Sequence, residues 1–80
     1  MKDPMEYQVA LGQMITARRE RLGYSREKFA RIMGVDTDYV VFVEDGKNDL
    51  GLSEMIVIAR ALRIPLSTLF ALAESALPEF

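Results

Sequence analysis

Apolar residues recur along the chain with the period of helices, and no stretch alternates with period two for long enough to make a strand. From about Met5 or Glu6 to Leu22, Leu11, Ile15, Arg18 and Leu22 fall on one stripe. Arg18 interrupts that stripe and is expected to lay its stem on the core with its head outside. Asp3 and Pro4 are well placed to open this first helix. Ser25 offers a hydroxyl to a free backbone N–H, and Phe29, Ala30 and Met33 then mark one face of a second helix, Arg26–Met33. Gly34 follows where that helix must stop, because glycine takes positive φ without a Cβ penalty. Asp36 can cap a third helix, Thr37–Asp45, with Val40 and Val43 on one side. The run Gly46–Gly51 is a loop by its turn residues. A fourth helix, Leu52–Leu62, should turn Leu52, Met55, Ile58, Ala59 and Leu62 inward. The residue before proline avoids helical geometry, so Ile64-Pro65 breaks the chain ahead of a fifth helix, Leu66–Ser75. The expected fold is all-α, one domain over residues 1–80 with a core at about 6–75 and short frayed ends.

The stretch from Gly23 to Gly46 organises the rest. Its two short helices are joined by a turn of only about three or four residues, the dimension of a helix-turn-helix. Ala30 is small where the helices would cross, and Gly34 follows four residues later. Val40 and Val43, six and nine residues beyond that glycine, would plug the second of these helices onto the first.

Eighty residues, half of them hydrophobic, are enough for one adequate but marginal core. The chain has no cysteine and no histidine, which removes disulfides, thiol chemistry, the usual zinc sites and imidazole catalysis. No apolar run approaches the roughly 20 residues of a membrane span, and no secretory signal opens the sequence, so a cytoplasmic protein is expected. Thr16, Ser53, Ser67 and Thr68 have no base to activate them, and no carboxylate pair suggests acid–base work. The five methionines scatter over core-facing stripes as packing groups. The chain reads as no enzyme, with no catalytic residue, no cofactor and no metal.

Charge divides the chain. Between Arg18 and Arg31, six basic residues (Arg18, Arg19, Arg21, Arg26, Lys28, Arg31) face two acids (Glu20, Glu27), a net of +4. Between Asp36 and Glu54, six acids (Asp36, Asp38, Glu44, Asp45, Asp49, Glu54) face Lys47 alone, a net of −5.

Three segments carry a family resemblance: RRERLGYSREKFARIMGV, then YVVFVEDGK, then LSEMIVIARALRIPLSTLF. Together, over about Leu11 to Phe70, the chain resembles the lambda-repressor-like, or XRE-type, helix-turn-helix domain. That resemblance implies five helices, the third in a DNA major groove, and a two-fold dimer on palindromic double-stranded DNA. It puts Thr37, Asp38, Val41 and Phe42 at the base-facing positions, and Arg26, Lys47 and Asn48 at the phosphate backbone. It also implies an ion pair between Arg19, late in helix 1, and Glu44, late in helix 3. The departures are specific. The family often opens helix 2 with glutamine, where Arg26 stands here. Donor-bearing residues are usual on helix 3, and only the Thr37 hydroxyl remains. A common proline-serine has become Leu50-Gly51, and Arg63 stands where a helix-ending glycine is typical.

An acidic reading helix opposes phosphate binding, which leaves a second function class: a helix-turn-helix domain turned to protein–protein interaction, with Val41 and Phe42 as anchors and acids as the rim. A homodimer is expected from the C-terminal third. Met55 and Ile58 already supply the inward face of helix 4, leaving Ile56 or Val57 over, and helix 5 is apolar on more than one face. The interface expected is Ile56, Leu66, Phe70 and Leu72, with Leu77 and Phe80 from the tail. The same tail would alternatively fold back over its own helix 5.

Overall fold

The structure, a computed structural model, describes residues 4–75, with side chains from Glu6 onward. Five helices follow in order: α1 (Pro4–Arg21), α2 (Arg26–Met33), α3 (Thr37–Glu44), α4 (Leu52–Ala61) and α5 (Leu66–Ser75). Their types and order are those the apolar periodicity predicts, and the ends shift by a residue. Asp45 and Leu62 cap α3 and α4 rather than continuing them. The long α1 packs against α5 on one side and α3 on the other, α2 bridges α3 and α4, and α4 packs on α5.

The core lies where those helices meet. Ile15, Phe29, Val40, Ile58, Leu62 and Leu69 are its largest fully buried side chains. Burying each is worth on the order of 1.5–3 kcal/mol, which opposes the entropy of ordering a chain this short. Ala30, 2 % exposed, lets α2 and α3 approach closely. Leu52 departs from the sequence reading: it is 62 % exposed. It is the first residue of α4, and the inward stripe meets the core only later, at Ile58, Ala59 and the cap Leu62.

Helix ends follow one design. After each of α1 to α4, a backbone N–H reaches back five residues to a carbonyl of the helix's last turn: Tyr24 to Arg19, Val35 to Ala30, Lys47 to Phe42, and Ile64 to Ala59. The residue before each of these donors has positive φ. At the α2 end it is Gly34, with φ 72°. At the α4 end it is Arg63, φ 61°, the one non-glycine with positive φ among the described residues. A left-handed arginine costs roughly 1–2 kcal/mol relative to glycine. At the start of α2 the Ser25 hydroxyl accepts the Lys28 N–H at 3.0 Å. Asp36 stands at the N-cap of α3 but makes no side-chain cap bond, so its expected capping role is not seen.

Candidate nucleic-acid interface

Gly12 sets the relation between α1 and α3. A Cβ at this position would lie 2.5 Å from the Glu44 carbonyl oxygen and 2.7 Å from that of Val43. Only a bare backbone lets α1 cross the end of α3 so tightly. Arg19 lies two helical turns further along the same face of α1. Its Nε donates to Glu44 Oε2 at 2.6 Å, its second guanidinium nitrogen to Oε1 at 3.2 Å, and its third to the Tyr24 carbonyl at 2.7 Å. Arg26, at the start of α2, donates its Nε to Glu44 Oε1 at 3.1 Å. One buried carboxylate therefore joins three helices through two guanidinium groups. Arg19 and Glu44 are each 6 % exposed, so the pair is cut off from water and depends on its own hydrogen bonds. No buried side-chain nitrogen or oxygen among the described residues lacks a partner.

Arg18 differs from its expected role. Its Nε donates to the Leu62 carbonyl at 3.0 Å, so the head closes the end of α4 instead of leading out to solvent. A second link joins α3 to α4, where the Tyr39 hydroxyl donates to Glu54 Oε2 at 2.8 Å. Burial, then this bond, pushes the Tyr39 hydroxyl up to about 12. The Gly51 N–H, donating to Glu54 Oε1 at 3.0 Å, and then the Tyr39 hydroxyl, hold Glu54 below its ordinary value.

With Val40, Val43 and Glu44 buried, α3 turns Asp38, Phe42 and Asp45 outward. Phe42 is 52 % exposed, a large apolar surface between two carboxylates. Thr37 and Val41 are half-buried at the flanks of this ridge. Beyond it Lys47 is exposed and Asn48 half-buried. Arg26 keeps an exposed side chain although Glu44 holds its Nε. Lys28 is exposed with its Nζ 5.1 Å from the centre of the Tyr24 ring, and Arg31 is exposed one turn further along α2.

Ile56, Phe70 and Leu72 are exposed, while Leu66 is half-buried against the core, so it has little side chain left for an interface. Leu77 and Phe80 lie outside the described residues. Two residues escape a reading of the sequence. Leu52 joins the exposed apolar surface of α4, and Gly12 makes the close helix crossing. A lone glycine inside a helical pattern is the available signal for the second. Among the described residues no group of three carboxylates converges to hold a metal ion, and no single helix is long and apolar enough to cross a membrane.

Two short helices joined by a glycine turn, with the second held by a buried arginine–glutamate pair and its outer face exposed, define a helix-turn-helix domain. The chain belongs to the helix-turn-helix family of lambda-repressor-like (XRE) type, whose profile matches residues 15–69. It is 32 % identical over 69 residues to an uncharacterized HTH-type transcriptional regulator of Sinorhizobium medicae, covering 86 % of this chain and 50 % of that relative. A second such regulator, from Rhizobium meliloti, matches to the same extent. The chain spans about half the length of the curated relatives it matches. Among solved structures it is similar to the restriction-modification controller protein C.AhdI of Aeromonas hydrophila, with 34 % identity over 78 % of this chain and 94 % of that one and a TM-score of 0.74. The clp gene regulator ClgR of Corynebacterium glutamicum, at 18 % identity, covers 90 % of this chain and 92 % of its own with a TM-score of 0.85, and so shares the fold.

Proposed function

We propose that this chain is a non-enzymatic DNA-binding transcription regulator that acts as a homodimer on palindromic DNA, with α3 in the major groove. The observation that carries the reading is the rigid mounting of α3. Glu44 anchors its inner side to α1 and α2, and Asp38 and Phe42 project from its outer side. The names of the relatives, as transcriptional regulators, support it. Lys47, Asn48 and the free end of the Arg26 guanidinium take the phosphate contacts, which position the domain. Asp38 accepts from a cytosine amino group, and Phe42, with the methyl of Thr37, meets thymine methyls, while Val41 packs at the edge. Such a reader favours C and T edges over the guanine acceptors that arginine would seek. The two halves meet through Ile56, Phe70 and Leu72, with a smaller share from Leu66. A cytoplasmic location goes with this role.

Binding to mixed-sequence duplex DNA across a salt series tests the proposal. Affinity that falls steeply with salt is expected, because phosphate neutralisation releases counterions. One observation favours a second reading as a protein-interaction module. Phe42 stands between Asp38 and Asp45 on a helix that carries no arginine or lysine. Absence of any DNA binding at low salt would select that reading.

A further inference from the structure

A cleft of about 400 Å³ opens between α1, the α3–α4 loop and α5, with Asn48 of the loop at its edge. It falls in the range of about 300–1,000 Å³ typical of small-molecule sites. Leu11, Leu50 and Ala73 line it together with the rings of Tyr7 and Phe70. Asp49, from the loop, and Glu74, from α5, supply its charge, and no lysine or arginine is among the described residues that line it. Among the described residues neither carboxylate has a basic partner within ion-pair distance.

We propose that this cleft binds a small organic cation, an amine, guanidine or quaternary ammonium carried on an apolar body. The walls would remove the apolar body from water, as burial of such surface favours. An aromatic face attracts a cation through its quadrupole, and two carboxylates beside the rings add to that attraction. Among the described lining residues an anionic ligand would meet two negative charges and no positive one. A neutral apolar ligand would fill the same walls and gain nothing from the carboxylates. The proposal does not rest on the DNA reading, and because Phe70 is shared with the proposed dimer face it is tested on DNA-free chain dilute enough to be monomeric.

Calorimetric titration with three probes of one shape separates these cases: phenylbutylamine, phenylbutanol and phenylbutyrate. The amine is expected to bind, the alcohol to bind about tenfold more weakly, and the carboxylate not at all. Replacing both acids, D49N with E74Q, should bring the amine down to the level of the alcohol. Both residues lie outside the core, so the double variant should fold as the parent does. Equal binding of all three probes, or amine binding unchanged in the double variant, overturns the proposal. So does the absence of any binding at millimolar probe, including the case in which a second copy of the chain covers the cleft as protein concentration rises.

Discussion

Glu44 is the residue whose loss reaches furthest, because one carboxylate answers both Arg19 and Arg26. Glu44→Ala would leave the buried Arg19 guanidinium with only the exposed Glu20, at 4.0 Å, as a counter-charge, and breaking a buried pair in this way costs about 3–5 kcal/mol. Denaturant unfolding measures that directly, and a loss below about 1 kcal/mol would show the pair to be ornamental. Arg63 tests the opposite sign. It holds a positive φ that glycine takes without penalty, and its backbone N–H already bonds the Arg60 carbonyl. Arg63→Gly is expected to gain about 1 kcal/mol and raise the melting temperature by several degrees. An unchanged or lowered melting temperature contradicts the strain argument. Both positions are legible in the sequence, Arg63 as a departure from a glycine and Glu44 through the family resemblance. Gly12 is not, since glycine leaves no side chain in an apolar pattern and its role lies wholly in the backbone it meets.

Among the elements, helix type and order are readable because each helix carries its own apolar stripe and stop signal. What the pattern misjudges are positions at the ends of those stripes. Leu52 has the right spacing for the inner face of α4 but precedes the point where the helix reaches the core. Arg18 lies on the inner stripe of α1, and the carbonyl it finds belongs to Leu62, 44 residues away, which no local pattern reveals. The junction of α3 with α4 carries a pH dependence of defined sign. Glu54 is held below its usual value, so its stabilising share is present above 4.5 and lost as pH falls through the lowered value. Tyr39 is raised from 10.0 to about 12, so its share is present below 10.0 and lost as pH climbs towards 12. Tyr39→Phe should therefore flatten the alkaline loss of stability, and Glu54→Gln the acid loss, relative to the parent. Unfolding midpoints taken across pH check both, and parallel curves for parent and variants contradict the link.

For the whole molecule, the exposed groups at Ile56, Phe70 and Leu72 make association the expected state. Sedimentation at micromolar concentration should give twice the chain mass of 9.1 kDa. A charge at Ile56 or Leu72 should yield a folded monomer, and a parent that is monomeric throughout contradicts the interface. An isologous dimer would use one patch twice and set two recognition helices about 34 Å apart. Within each half, Lys47→Ala should weaken all DNA sites evenly and lower the salt slope by about 1, whereas Phe42→Ala should change which sites are preferred. Selection of binding sites from a random DNA pool, run in parallel with the parent and with Phe42→Ala, tests the role of α3 most directly. The parent is expected to enrich two inverted half-sites about one helical turn apart, rich in the C and T edges that Asp38 and Phe42 can meet, and the variant to relax that preference. A pool that stays random with the parent, or one enriched identically by both proteins, would contradict the claim that α3 reads DNA.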